Sequence, residues 1–263
     1  MSYQSLDFEI RDNVAWITIN RPAAMNALNG QATKELFDIA NRCGSDRSVR
    51  AAVLTGAGDR AFCAGGDVGE FATNADTIEL LIKEMTGYLH LAVSRFAWMR
   101  APVIAAVNGV AAGAGLSLAA CCDLAIAADS ARFTSAYTQI GLTPDGSSTY
   151  FLPRLLGSRR TLELYLTNRV LSAQEALEWG LINRVVPAGT LMDEVGKLAS
   201  QLAKGPTRAY GGIKKLVQMA PNDTLESQME RETRMIAEMS TSADGREGVR
   251  AFVDKRKPNF TGD

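Results

Sequence analysis

Histidine is nearly missing from this chain: of 263 residues, only His90 carries an imidazole. A multi-histidine zinc centre is therefore excluded, and no metal site is expected. Cysteine is sparse, with 4 residues and no CxxC spacing. Cys121 and Cys122 are adjacent in an apolar run, which suits buried thiols in a reducing compartment rather than a disulfide framework. A basic excess is also lacking: 28 Lys and Arg face 29 Asp and Glu, for a net charge of −1. That argues against nucleic acid as a partner, which calls for a clustered basic face. No apolar run is long enough to span a bilayer, because the longest, residues 111–128, is cut by Gly113, Gly115, Ser117 and Asp123. The opening residues, MSYQSLDFEIRDN, show no cationic segment followed by an apolar one. No signal peptide is expected, and the cytoplasm is the expected compartment. Neither a GxGxxG with a distant acid nor a GxxxxGK[ST] loop occurs, which argues against dinucleotide and P-loop chemistry. Internal repeats and low-complexity tracts are absent as well.

What is present is an ordinary globular balance, 46% hydrophobic and 22% charged, in a length that suits one large domain or one domain with an appendage. Short β-branched runs at 8–11 and 14–19 flank Asp12-Asn13, a hairpin signal. Apolar runs at 51–55, 103–107 and 124–128 read as buried strands, and 133–137 as a short edge strand. Helical periodicity appears at 28–42 and at 77–99, with Leu80, Leu81, Met85, Leu89, Val93 and Phe96 on one side. This alternation predicts an α/β fold with a largely parallel sheet. Past residue 159 the strand signal fades, apart from 182–186. Ser172-x-x-Glu175 is a capping box, and its helix stops at Gly180. Helices are predicted over 191–202, 209–219, 224–239 and 245–255, a helical appendage. Trp16, Trp98, Trp179 and the methionines are expected in the core.

The chemistry is expected around residues 102–124, PVIAAVNGVAAGAGLSLAACCDL, where an apolar strand runs through a glycine/alanine loop into a small-residue helix. Such a junction aims backbone N–H groups at one point and can hold a developing oxyanion without a side chain. A second loop of the same kind, AFCAGGD at 61–67, follows another apolar strand. Two such loops can each place one N–H on a single oxygen, and a helix start adds its macrodipole. Close packing of helix on strand would explain the same small residues, so both readings stand at this level.

Asp145, in TPDGSS, is either a helix N-cap or a working carboxylate. His90 either satisfies a backbone group on a long helix or acts on the substrate, directly or by tuning Asp145. Tyr137 either packs in the core or lines a pocket near Asp145. Lys255, in VDKRKP, belongs to a solvated face or reaches a phosphate.

Segments INRPAAMNALN (19–29), AFCAGGDV (61–68), APVIAAVNGVAAGAG (101–115), CDLAIAADSARF (122–133), GLTPDGSSTYFLPRLLG (141–157) and LSAQEALEWGLINRVV (171–186), with FTG near the end, resemble the crotonase, or enoyl-CoA hydratase/isomerase, superfamily. The likeness covers essentially the whole chain in order. It implies a spiral of ββα units over residues 1–200, a helical trimerisation region over 201–263, and acyl-CoA substrates, with coenzyme A part of the substrate and no separate cofactor. It implies a homo-oligomer, a trimer or a dimer of trimers. The family's oxyanion donors map to Gly66 and Ala114, and its CoA contacts to Met25, Ala27, Ala64 and Asp67. The two glutamates of the family's hydratases map to Ser117 and Tyr137, so both carboxylates are missing; hydroxyls ionise too high to replace them as bases. The G-L-x-P-D context of Asp145 resembles that of epoxyphenylacetyl-CoA isomerase-like and enoyl-CoA isomerase-like members, where one carboxylate shuttles a proton. His90 together with Asp145 resembles 4-chlorobenzoyl-CoA dehalogenase-like members, whose aromatic cradle is mostly missing here. The resemblance therefore implies enoyl-CoA isomerisation, with hydration and hydrolytic dehalogenation as alternatives and a non-catalytic RNA-binding role disfavoured.

Overall fold

A computed structural model describes residues 3–263. The hairpin forms as expected, from β1 (Leu6–Arg11) and antiparallel β2 (Val14–Ile19). Asp12 and Asn13 sit at φ 52° and 63°, the left-handed pair that a tight two-residue turn demands. α1 (Gly30–Ser45) follows, capped by the Asn29 side chain on the Ala32 N–H.

Three ββα turns then build the core. The first has β3 (Ala51–Gly56), β4 (Ala61–Cys63) and, after the short α2 (Val68–Thr73), the long α3 (Ile78–Trp98). The second has β5 (Val103–Val107), β6 (Val110–Ala112) and α4 (Ala114–Cys121). The third has β7 (Leu124–Ala128), β8 (Arg132–Thr134), α5 (Ser148–Leu156) and α6 (Ser158–Thr167). β9 (Leu171–Ser172), α7 (Ala173–Trp179) and β10 (Arg184–Val186) complete the sheets. The leading strand of each turn joins a six-stranded sheet, ordered β1-β2-β3-β5-β7-β10 and parallel beyond the first pair. The trailing strands form a four-stranded sheet, β4-β6-β8-β9. α8 (Leu191–Ala203), α9 (Thr207–Met219), α10 (Leu225–Ser240) and α11 (Ala243–Val253) make up the helical end.

The central strands read as unbroken apolar runs because both faces are covered. Ala52 and Leu54 of β3 and Val103, Ala105 and Val107 of β5 face the main core. Their alternates, Ala51, Val53, Ile104 and Ala106, meet Leu191, Val195 and Ala199 of α8 on the other side. The capping box at Ser172 and Glu175 forms, and Gly180 closes α7 in the left-handed region.

Some expectations fail. Residues 61–63 are strand rather than loop, and β9 was not foreseen, being only two residues long. β8 lies between β6 and β9, so it is not an edge, and it ends at Thr134. Leu80 is 69% exposed, and Trp98, Met192 and Met229 are also exposed rather than in the core. α3 covers the core only from its second turn onward, where Met85, Leu89, Val93 and Phe96 are buried.

The helical end is bolted to the sheet by a buried ion pair. Lys214 Nζ lies 2.7 Å from Asp123 Oδ2 and donates to the carbonyls of Phe96 and Ala101. Asp123 also accepts the Val103 N–H at 2.7 Å, yet burial still pushes its carboxyl above the ordinary range. Lys214→Met is expected to destabilise the fold by about 3–5 kcal/mol, because Asp123 is then left without its counter-charge. Urea unfolding measures this, and Asp123→Asn combined with Lys214→Met should recover part of the loss. Near the C-terminus, the buried Asp244 carboxylate takes the N–H groups of Thr261 and Gly262 and fastens the FTG segment. The four cysteines are free thiols; Cys43, Cys63 and Cys121 are buried and Cys122 is half-buried. No described helix is long and apolar enough to cross a membrane.

Candidate active site

The two glycine loops meet. Leu28 donates its N–H to Gly65 O and accepts that of Asp67, a one-rung parallel bridge that clamps the first loop beside residues 25–28. Ala64 donates to Met25 O at 3.1 Å in the same clamp. The second loop crosses against it: a Cβ on Gly65 would stand 3.1 Å from Ala112 O and 3.4 Å from Ala114 N. Gly113, at φ 52° and ψ −125°, makes the turn into α4. Gly115 lets that helix touch β4, since a Cβ there would be 2.0 Å from Cys63 O. Gly66 packs against a side chain, the Phe71 ring, 2.7 Å from where its Cβ would be.

Both Gly66 and Ala114 line a cavity of about 360 Å³. Among the described residues, neither the Gly66 N–H nor the Ala114 N–H has an acceptor within the protein. Two unspent donors at one cavity wall, one of them at the start of a fully buried helix, can share a single oxygen. The remaining wall is mostly aliphatic, with Val68, Ile82, Met85, Leu89, Ile140 and Leu142, and Phe71 its apolar aromatic.

Asp145 lines the same cavity. It is not an N-cap: α5 starts after Ser147, and the Ser148 N–H goes to the Asp145 carbonyl, not to its carboxylate. Its Oδ1 accepts the Tyr137 hydroxyl at 2.6 Å. Among the described residues Oδ2 has no donor. Burial, and then the neighbouring carboxylate, push the Tyr137 phenol far above its ordinary value, so it remains a proton donor. Behind Tyr137 stands Ser117, fully buried, its Oγ 3.2 Å from the phenol oxygen and 3.0 Å from Asp145 O. Beside the one carboxylate stand two hydroxyls.

Of the two readings of His90, the structure shows the contact with a backbone group. The imidazole Nε2 accepts the Gly146 N–H at 3.2 Å, and the ring is exposed and off the cavity wall. Leu89 lines the wall instead, and one residue further along a helix turns the side chain away by about 100°. His90 thus braces the loop that carries Asp145 and does not face the cavity.

The other predicted contacts divide. Ala64 lines the cavity. Met25 and Ala27 lie beside it on the clamp, Met25 in the left-handed region and Ala27 buried; neither lines the wall, and Leu28 does. The Asp67 carboxylate is occupied, capping α2 through the Glu70 N–H and paired with Arg21 at 2.8 Å. Lys255 is exposed after the end of α11, outside the cavity. Sequence reasoning missed the 139–144 stretch of the wall, and it singled out Ser117 for the carboxylate it lacks without foreseeing the contacts its hydroxyl makes.

Residues 9–263 match the family model described as Enoyl-CoA hydratase/isomerase. The chain is 41% identical to a Rhodobacter capsulatus protein named "Probable enoyl-CoA hydratase", over 100% of both chains. It is 41% identical to the 1,2-epoxyphenylacetyl-CoA isomerase of Escherichia coli K12, over 96% of this chain and 97% of that one. Identity to 4-chlorobenzoyl coenzyme A dehalogenase-1 of Arthrobacter sp. is 40%, covering 88% and 84%. The crystal structure of an enoyl-CoA hydratase from Polaromonas sp. JS666 superposes with a TM-score of 0.93 at 32% identity, covering 98% of this chain and 100% of that one.

Proposed function

The chain belongs to the enoyl-CoA hydratase/isomerase family, and from that premise we propose that this acyl-CoA enzyme is an enoyl-CoA isomerase with Asp145 as its acid/base. The thioester oxygen of a 3-enoyl-CoA lies on the N–H groups of Gly66 and Ala114. Asp145 Oδ2 removes a proton from C2, and the bonding electrons move into a dienolate whose charge those donors hold. The same carboxyl returns the proton to C4, which leaves the double bond between C2 and C3. Each oxyanion donor contributes about 2.7–4 kcal/mol to such a transition state.

The observation that carries this reading is one carboxylate at the cavity wall with an unpartnered oxygen, beside two free backbone donors. Hydration needs a second group to position and activate water, and the two positions that would supply it carry Ser117 and Tyr137. Dehalogenation needs a cradle for an aryl ring and a base facing it; Phe71 is the wall's apolar aromatic, and His90 points away.

Coenzyme A is taken as part of the substrate, with no separate cofactor. Its path is proposed along the clamp of Met25, Ala27 and Ala64, with Asp67 holding that clamp rather than the ligand. Lys255 is proposed to serve a phosphate bound to a neighbouring subunit. The exposed apolar side chains of α9 to α11, among them Val217, Met229, Ile236 and Phe252, support a homo-oligomer, either a trimer or a dimer of trimers. A cytoplasmic location accords with the free thiols.

The test is incubation of a 3-enoyl-CoA in deuterium oxide, with products separated by chromatography and weighed by mass spectrometry. A 2-enoyl-CoA product is expected, little 3-hydroxyacyl-CoA from a 2-enoyl substrate, and no halide from 4-chlorobenzoyl-CoA. Rapid hydration without double-bond migration would overturn the isomerase reading.

A further inference from the structure

Ser117 and Tyr137 stand where carboxylates are missing, and their geometry gives them a task of their own. Tyr137 donates its only hydroxyl proton to Asp145 Oδ1. Ser117 also has one proton, and three oxygens surround its Oγ: Asp145 O at 3.0 Å, Tyr137 Oη at 3.2 Å and Gly113 O at 3.3 Å. Two of these are carbonyls, which have no proton to give. The hydroxyl chain therefore ends blind in the interior. Ser117 is fully buried, and Gly146 packs on it so tightly that a Cβ there would come within 2.8 Å of the Ser117 Cβ. The hydrogen bonds that start at Oδ1 lead through Tyr137 to Ser117 and no further. The other oxygen, Oδ2, has no donor among the described residues and belongs to a side chain on the cavity wall.

We propose that Tyr137, seated by Ser117, is a positioning residue that makes Asp145 a one-oxygen base: Oδ1 is tied, and Oδ2 alone takes and returns the substrate proton. Ser117 joins the two halves of the site, since its Oγ spans the Gly113 carbonyl of the oxyanion loop and the Asp145 carbonyl of the base loop. Once an acyl chain fills the cavity, a proton on Oδ2 has only the substrate carbon to return to. The inference rests on the isomerase reading for its substrate, but the tied oxygen is tested without it.

The experiment uses two compounds and the full-length protein. With 3-enoyl-CoA carrying deuterium at C2, the wild type is expected to deliver much of the label to C4 of the product. Tyr137→Phe deletes one oxygen atom; kcat is expected to fall about tenfold with KM little changed. The retained label should fall too, because the freed carboxyl turns and meets water in the vacated space. With a saturated acyl-CoA, in which no double bond can move, exchange of the Cα hydrogen with deuterium oxide reads the same base. There Tyr137→Phe should exchange faster than wild type, by about twofold or more, although it isomerises more slowly. Simple damage to the site would lower both rates together. Ser117→Ala should shift both readouts in the same directions by a smaller factor. Unchanged label retention and unchanged exchange in Tyr137→Phe would overturn the proposal. If the wild type exchanges the saturated compound but moves no double bond, the isomerase reading fails and the exchange comparison still decides the role of Tyr137.

Discussion

Asp145→Asn should lose isomerisation by about 10²–10⁴-fold while the protein keeps its fold and its affinity for acyl-CoA. The amide has the shape of the carboxylate, so its oxygen can still accept the Tyr137 hydroxyl, and the Ser148 and Ser117 contacts go to the Asp145 backbone carbonyl, which the substitution leaves in place. What disappears is the basic oxygen. The measurement is kcat for conversion of 3-enoyl-CoA, set beside the thermal midpoint and the Kd for a saturated acyl-CoA. A variant that retains the wild-type rate would place the base elsewhere, and among the described residues no other carboxylate lines the cavity.

Gly115→Ala should damage both the fold and the activity. Its Cβ would fall 2.0 Å from Cys63 O and 2.7 Å from Cys63 C, and both are backbone atoms that cannot swing aside. All eight residues of α4 are buried, so the helix has no solvent side to retreat toward. Either the helix is pushed off β4 or the strand bends. The expected loss of stability is about 3 kcal/mol, the upper end for overpacking a tight core. Whatever fraction folds should also be slow by about 10²-fold, because the neighbouring Ala114 N–H moves off the thioester oxygen. Urea unfolding and kcat separate the two effects. Gly87→Ala is the contrast: it lies in α3 with nothing within 4 Å of the added Cβ, and should be neutral or slightly stabilising.

These two sites also show how far the sequence speaks. The hairpin, the buried parallel strands, the capping box and both glycine loops are local patterns, and each formed close to its expected place. The glycine loops were legible because backbone geometry is written in glycine. Side-chain partnerships were not. Tyr137 and Asp145 are eight residues apart along an irregular stretch, and only the fold brings their oxygens to 2.6 Å. The periodicity put Leu89 on the buried side of its helix, and His90 was left between a backbone contact and a role on the substrate; that its partner is the Gly146 N–H, 56 residues away, only the fold reveals. Asp67 and Asp145 pose the same difficulty. Both precede helix starts, but only the first caps, and which carboxylate bends back onto its own helix depends on loop torsions set by distant contacts.

The burial of the thiols has a use beyond stability. Burial pushes Cys43 and Cys63 up to about 12, and Cys122 is raised well above its ordinary value by a hydrogen bond with the neighbouring Cys121 thiol and by burial. At pH 8 a thiol at about 12 exposes a reactive thiolate about 10⁻⁴ of the time, so native alkylation is negligible unless the surrounding structure parts. These sulfurs sit in α1, in β4 beside the first glycine loop, and at the end of α4. The protein thus carries its own chronometers, and the order in which they are labelled in mild denaturant ranks how readily its layers breathe.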